Sequence, residues 1–525
     1  MPEYLSPGVY VEEFEIGAKP IEGVSTSTAG FLGPTMRGPL EPRFITGFEQ
    51  FKRIYGGYLP ADVTYLPYAV EGFFKNGGQR CFVARIAPQD GATMSGAHDT
   101  VNIEAAGPGI WGNRIAVKIE PGSLQPDPES EPCQKIKLTV MYWDVPPPTP
   151  PVDPTDPSKA TDPNRRDPTL IEVYDNLTAD STSIDYFETR VNAQSNLIKI
   201  SPLEKDNIAN PSKKELDFLS DTGSDGSPVG LDDYKGRMLP PLPDGTTHRT
   251  GLKGFAEIDE ISIVCAPDHH MIQTLDAELI TDCTQRKDRF AILHSNPAKD
   301  NLAAVANIRP PQDTTYAAFY FPWIKIFDPR TNQEALIPPS GYIAGIYANT
   351  DVERGVHKAP ANVVVAGATG LQFKITKGEQ DILNPRGVNC LRAFPARGIR
   401  VWGARTCSTN TLWKYINVRR LFIFIEESIE QGTQWVVFEP NDEKLWARVT
   451  QTITQFLTTV WRNGALMGTK AEEAFFVKCD RTTMTQDDID NGRLICIIGI
   501  APVKPAEFVI FRITQYPGGS ELEEI

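Results

Sequence analysis

Residues 383–407 read LNPRGVNCLRAFPARGIRVWGARTC, residues 415–449 read YINVRRLFIFIEESIEQGTQWVVFEPNDEKLWARV, and residues 480–515 read DRTTMTQDDIDNGRLICIIGIAPVKPAEFVIFRITQ. In the middle stretch Val418, Leu421, Phe422, Ile425 and Ile429 recur at helical spacing, with Asn417 as N-cap and Gly432 as terminator. Trp435 to Phe438 reads as a strand. Leu445, Val449, Ile453, Phe456, Leu457 and Val460 mark a longer amphipathic helix ending near Asn463-Gly464. Thr485 and Asp488 have capping-box spacing. Leu494 to Ile500 and Phe508 to Ile513 are apolar enough to be strands, the second close to the end of the sequence. The stretch from Leu383 to Gln515 is therefore a compact α/β unit with a bare terminal strand, and such a strand has to pair with something.

Working outward, the pattern N-terminal to this unit is also α/β. Residues 24–32 (VSTSTAGFL) read as a strand. Phe48, Phe51, Ile54 and Tyr55 mark a helix closed by Gly56-Gly57, and Leu66, Ala69, Val70, Phe73 and Phe74 a second closed by Gly77-Gly78. Residues 81–86 (CFVARI) are a buried strand, which completes a crossover unit. Ile261 to Cys265, an amphipathic helix from Met271 to Thr284, and Phe290 to Leu293 repeat the order strand, helix, strand, for which a parallel pair is the economical answer. Tyr316 to Phe321 is a further strand.

Residues 101–253 differ in character. Ile115, Val117 and Ile119 alternate as in a strand, Lys137 to Tyr142 does the same, and residues 183–201 read as helix then strand. Between them lies VPPPTPPVDPTDPSKATDPNRRDP, residues 145–168, which that much proline excludes from helix or central strand. The expected class is α+β, mixed α/β and multidomain. An α/β core is built from N-terminal, central and C-terminal segments, with an inserted β-rich peripheral domain and extended terminal strands. The expected divisions are a linker strand at 1–23, core at 24–100, the insertion at 101–253, core at 254–370 and a last domain at 371–525.

The chain has 525 residues and a formal net charge of -15, which argues against a nucleic-acid partner. Its eight cysteines include no C-x-x-C pair and no zinc spacing, so they read as scattered buried thiols. The start, MPEYLSPGVYVEEFE, has no basic n-region, and no apolar stretch approaches the ~20 residues of a membrane span. Synthesis and folding in the cytoplasm are expected, without direct membrane insertion.

Motifs with chemical meaning are few. Gly107, Gly109 and Gly112 spell G-x-G-x-x-G, but a strand follows where a dinucleotide site needs a helix, so a tight turn is expected. His269-His270 follow a strand end and read as surface residues starting a helix; Asp487, Asp488 and Asp490 read as a solvated helix start. No catalytic, cofactor or metal residue is assigned, and the chain is not expected to be an enzyme. Two other readings stand beside a structural one: a hydrolase on the α/β core, or a soluble adhesin using the proline-rich domain.

Several stretches jointly resemble the contractile tail sheath family of phages and phage-like injection systems. These are YLSPGVYVEE (4–13), KPIEGVSTSTAGFLGPTMRGP (19–39), YLPYAVEGFFKNGGQRCFVARI (65–86), FYFPWIKIFDP (319–329), IPPSGYIAGIYANTDVERGVHKAPAN (337–362) and the C-terminal quarter. The resemblance thins across 101–253. It implies a self-polymerising subunit that forms stacked hexameric rings around an inner tube protein. Baseplate and tail-terminator or cap proteins are implied partners, in a virion tail or in an injection particle that is released or cell-anchored. It also implies that terminal strands complete neighbouring sheets. The candidates are Val9, Tyr10, Val11 and Phe14 at one end, and Phe508, Val509, Ile510, Phe511 and Ile513 at the other. Lys444, Arg448, Gln451 and Gln455, on the polar side of the long helix, are candidates to face the tube. Deleting residues 1–16 is expected to leave a folded subunit that no longer polymerises. Normal cylinders in electron micrographs of that truncation would overturn the strand assignment.

Overall fold

Phe31, Ile263, Phe290 and Tyr320 are buried on one side of a sheet and Leu32, Val264, Ala291 and Phe319 on the other. This alternation is why both faces of these strands need cover. The computed structural model describes residues 20–125, 134–204, 208–240 and 247–512. Among them the largest sheet has eight strands, in the order Gly398–Trp402, Val388–Phe394, Ala317–Phe321, Phe290–His294, Ile263–Cys265, Ala29–Gly33, Cys81–Arg85 and Arg43–Ile45. The inner pairings are parallel, including Ile263–Cys265 with Phe290–His294. The two edge strands run antiparallel to their neighbours. The helices Phe48–Tyr55, Leu66–Lys75 and Ser340–Arg354 cover one face, and Leu275–Arg286 and Lys377–Leu383 cover the other.

The first of these faces depends on a close helix approach. Gly341 and Gly345 lie four residues apart on one side of Ser340–Arg354. A Cβ at Gly345 would sit 2.4 Å from the Phe73 carbonyl oxygen, and one at Gly341 2.4 Å from the Ala69 carbonyl. The approach is reciprocal, because Tyr342 lies across Gly72.

The β-rich segment forms a four-stranded antiparallel sheet in the order Lys214–Phe218, Ile115–Pro121, Ile136–Tyr142, Leu170–Leu177. A three-stranded sheet, Ser95–His98, Val101–Ala105 and Ile198–Pro202, packs against it around Trp111, Tyr142 and Phe187. The proline-rich loop is folded back on this body. Trp143 donates its indole N–H to the Arg166 carbonyl at 2.9 Å, Arg166 donates to the Pro146 carbonyl at 2.9 Å, and Lys118 pairs with Asp153 at 2.8 Å.

The C-terminal unit is built on the helices Ile416–Gly432 and Glu443–Arg462 and a two-stranded antiparallel sheet, Phe475–Lys478 with Ile497–Ile500. Leu421, Ile425, Leu445, Val449, Ile453 and Phe456 form its core.

Some expectations are corrected. Trp435 to Phe438 is not a strand. Gln434–Val436 is a short 3-10 turn, and Phe438 is fully exposed with φ 68°. The two helices pack directly on each other through Phe424 and Phe456, so the few residues between them only reverse the chain. Asn417 is not the N-cap, because the helix starts one residue earlier after extended Tyr415. The strand expected over 24–32 covers only Ala29–Gly33. His269 and His270 do not start a helix on the surface. Leu275–Arg286 begins later, and His269 is buried with its Nε2 3.1 Å from Nδ1 of His294. Burial, aided by the His270 charge, takes the His269 pKa down to about 3 and keeps the ring neutral. Among the described residues no helix is long and apolar enough to cross a membrane.

Gly345→Ala is expected to lower the thermal unfolding midpoint, since overpacking of this kind costs about 1–3 kcal/mol. Gly378→Ala is the control, because a Cβ there meets nothing within 4 Å. Equal midpoints for the two variants would contradict the close-packing account.

Candidate functional site

The surface that matters is organised by the 17-residue helix Ile416–Gly432. Toward its C-terminal end it holds the incoming N-terminal segment. Ile21 is buried in the C-terminal core, and a Cβ on Gly432 would lie 2.6 Å from its side chain. The Val24 N–H donates to Ser428 Oγ at 3.1 Å. Arg420 donates to the Thr26 carbonyl at 2.8 Å while forming a two-pronged pair with Asp351, at 3.0 and 2.6 Å. Near its N-terminal end the helix holds the outgoing C-terminal segment. Asn417 donates to the Val503 carbonyl at 3.2 Å and to the His357 carbonyl at 2.8 Å. At 1.5 Å per residue, the two holding points are roughly 22 Å apart along the helix.

Glu507 then fixes the chain. Arg405 meets both of its oxygens, at 2.7 and 2.8 Å, Tyr415 donates at 2.9 Å and Asn384 at 2.8 Å. Burial pushes the carboxyl pKa up, but these hydrogen bonds and the Arg405 charge outweigh it and hold the pKa at about 2. Immediately beyond, the chain is bare. Phe508 is 69% exposed and Phe511 83%. Phe508 to Arg512 belong to no helix or strand, so the expected terminal strand has no partner within the described residues. Ile513, and the N-terminal candidates Val9, Tyr10, Val11 and Phe14, lie outside the described residues.

The two-stranded sheet is the second element. Among the described residues its two strands pair only with one another, while the chain just past Ile500 is bonded to residues 465–467, the Met467 N–H donating to the Ala501 carbonyl at 2.8 Å; a sheet that small is marginal in water. Phe475 is buried against the helix Glu443–Arg462, while Phe476 and Ile497 are exposed. Apolar side chains and edges without a partner strand therefore coincide at this hairpin.

The third element is the outward face of Glu443–Arg462. Asp442 caps it by accepting from the Lys444 and Leu445 N–H groups. Lys444, Arg448, Gln451 and Gln455 are all exposed and lie in one row, which Arg462 extends. Arg448 leans over the Trp435 ring at 4.5 Å. Residues 444–462 contain no Asp or Glu, in a chain whose net charge is -15. The row is thus polar with cations at Lys444, Arg448 and Arg462, of which Arg448 also lies 3.9 Å from Glu439.

The remaining motifs do other work. Gly107 and Gly109 precede, and Gly112 lies within, the 3-10 turn Ile110–Arg114, which runs into the strand Ile115–Pro121. Arg85 fills the loop, donating to the Gly38 and Pro108 carbonyls at 2.8 Å each. Asp488 completes the capping box with Thr485, and Arg493 pairs with Asp487 and Asp488 at 2.8 and 2.9 Å. His269, His294 and Trp323 fill the strand-end edge where an α/β enzyme would keep an open crevice. Among the described residues no group of three His, Cys, Asp or Glu is placed to hold a metal ion. Sequence reasoning missed Glu507, Arg405, Arg420 and Asp351, whose partners lie far away along the chain.

Residues 244–407 match the family model described as the phage tail sheath protein central domain, and residues 408–515 the model described as the phage tail sheath C-terminal domain. A putative prophage major tail sheath protein of Pseudomonas aeruginosa is 25% identical over 233 residues, 41% of this chain and 58% of that relative. The chain therefore spans less than two thirds of that relative. A chain in the 6-fold symmetrised cryo-EM structure of the anti-feeding prophage baseplate is 25% identical, with TM-score 0.55, and the match covers 97% of this chain and 99% of that one. The sheath complex of an extracellular contractile injection system, in its contracted state, shares the fold at 22% identity with TM-score 0.58, over 98% of this chain and 99% of that one.

Glu507→Gln is expected to speed amide exchange of residues 501–507 about tenfold at pH 7, the scale of one charge-assisted hydrogen bond. The native carboxyl pKa is lowered, so its contribution is full above the unfolded value near 4.5 and is lost as pH falls through about 2. Wild type and variant should converge over that window. A constant difference down to pH 2 would show that the charge is not what anchors the segment.

Proposed function

The chain belongs to the phage tail sheath family, and from that premise we propose that it is the contractile sheath subunit of a phage tail or phage-like injection particle. In this reading subunits polymerise as stacked hexameric rings around an inner tube, bounded by a baseplate and a terminator or cap protein. They assemble in the bacterial cytoplasm. Collapse from an extended to a contracted arrangement drives the tube through a target envelope.

The observation that carries the reading is the apolar arm after Glu507 on a body that also has an underfilled two-stranded sheet. As a strand, Phe508 and Ile510 would face one way and Val509 and Phe511 the other. Added to a neighbour's Phe475–Lys478 or Ile497–Ile500 edge, it would gain main-chain hydrogen bonds worth roughly 1 kcal/mol each. Each buried Phe would add about 1.5–3 kcal/mol. Residues 9–14 are the matching candidate at the other end, tethered beside the same helix through Ile21 and Val24. The cationic row of Lys444, Arg448, Gln451 and Gln455 suits an acidic face on the tube.

No bond-making step is needed. The work comes from the difference between two sets of subunit contacts, and a few kcal/mol per subunit, summed over a long sheath, makes collapse irreversible. For a hydrolase reading, His269, His294 and Trp323 pack on one another at the strand ends where a crevice would lie. For an adhesin, the proline-rich loop is held to its own domain by Arg166 and Asp153.

Negative-stain electron microscopy of the purified subunit, alone and with its tube protein, tests the proposal. Hollow striated cylinders are expected, and small uniform particles under both conditions would sink it. A Lys444→Glu/Arg448→Glu variant should form cylinders alone yet lose the tube. A variant that still retains the tube would remove the cationic row from the proposal.

A further inference from the structure

The pairing of Phe475–Lys478 with Ile497–Ile500 runs in register, Lys478 opposite Ile497. One step further the register sets Cys479 directly opposite Cys496. Ala501 donates its N–H to the Ala474 carbonyl at 2.8 Å, which makes that pair a hydrogen-bonded one. The antiparallel ladder alternates, so the Cys479/Cys496 pair falls at a non-hydrogen-bonded site, where facing side chains lie closest. Opposed residues at such a site have Cα atoms about 4.5 Å apart, inside the range of about 4.4–6.8 Å that a disulfide spans. The two thiols are in hydrogen-bonding contact with one another, and each is a free thiol. Cys479 is buried and Cys496 is half-buried.

We propose that Cys479 and Cys496 are a redox-modification site, an opposed thiol pair that closes to a cross-strand disulfide stapling this hairpin. The oxidant class is a low-molecular-weight disulfide. The better exposed Cys496 thiolate attacks one of its sulfurs, forming a mixed disulfide and releasing one thiolate. The Cys479 thiolate then attacks Cys496 Sγ, forming the S–S bond and releasing the second. The two protein thiols lose two protons and two electrons, and the reagent leaves as two thiols. Burial raises the pKa of both groups, that of Cys479 to about 12, so reaction is slow until the hairpin opens or the medium turns oxidising.

The bond would enclose residues 480–495, which carry the Thr485 capping box and the Arg493 ion pairs. It would stabilise a sheet that has only two strands among the described residues. Its bearing on assembly rests on the proposed role of this sheet as strand acceptor; its formation does not.

The test uses the full-length, unassembled subunit treated with oxidised glutathione, then alkylated and read by peptide mass spectrometry and hydrogen exchange. The expected product is a peptide pair linked through Cys479 and Cys496. Closing a loop of this length should slow exchange of residues 475–478 and 497–500 on the order of 100-fold. Cys479→Ser should stall with glutathione on Cys496. Wild-type protein that keeps glutathione on Cys496 with Cys479 still alkylated would overturn the proposal, as would linkage of Cys496 to another cysteine. Neither readout involves polymerisation, so failure of the staple and failure of the sheath reading remain distinguishable.

Discussion

The pair between Arg420 and Asp351 is the contact on which the C-terminal surface depends. Both side chains are buried, and the guanidinium meets the carboxylate with two prongs. It also lies over the Tyr347 ring at 4.9 Å and donates to the Thr26 carbonyl. One residue thus joins the helix Ile416–Gly432, the sheet-covering helix Ser340–Arg354 and the entering N-terminal segment. Burying two charges is expensive, and such a pair adds little net stability compared with apolar packing. What it supplies is geometry. Removing one partner leaves a buried charge without a mate, at about 3–5 kcal/mol. The C-terminal unit is therefore held in one orientation on the large sheet, and the segments at Thr26 and Val503 are set in place with it.

That constraint separates what is fixed from what is free. Val24, Thr26, Val503 and Glu507 are all tied down, directly or through Arg405, beside the same helix. The residues beyond Glu507 are apolar and exposed. A chain segment held by a bidentate ion pair and then left bare is directed outward from a defined point. Ile21 beside Gly432 and Val503 beside Asn417 lie roughly 22 Å apart along one helix, so a rigid turn of the C-terminal unit would carry both segments together.

How much of this was legible follows from the range of the interactions. The inner strands of the large sheet could be read because Phe31/Leu32, Val264/Cys265 and Phe319/Tyr320 alternate between two buried faces, a local signal, whereas Arg43–Ile45, Val388–Phe394 and Gly398–Trp402 were not read as its strands. The helix Glu443–Arg462 was legible from its apolar stripe, and its exposed row with it. Asn417 misled because its N-capping preference is local, whereas its side chain is engaged by Val503 and His357 carbonyls 86 and 60 residues away. Trp435 to Phe438 had strand composition but no neighbour to pair with. His269 looked like a surface residue because nothing local announces His294 or Trp323. The Glu507 anchor was out of reach for the same reason, since Arg405 lies 102 residues earlier. Cys479 and Cys496 form no spacing motif, and only the strand register brings them together.

In the proposed sheath, an assembly that changes shape needs contacts of two kinds, and this chain would separate them. Contacts that survive the change have to be short-range, numerous and indifferent to the angle between subunits. Main-chain pairing of a tethered strand meets that need, because its hydrogen bonds turn with the strand while the tether absorbs the rotation. Contacts that differ between the two states set the driving force, and they belong on rigid surfaces whose charges and shapes match in one arrangement only. The exposed row on Glu443–Arg462 lies on a helix locked by the C-terminal core, so it moves as part of a solid body. If the arms were as rigid as that helix, contraction would have to break them. If the helix were as loose as the arms, no difference in energy would accumulate. In that proposed sheath, the change from anchored chain to exposed apolar chain at Glu507 would be the physical boundary between these two requirements.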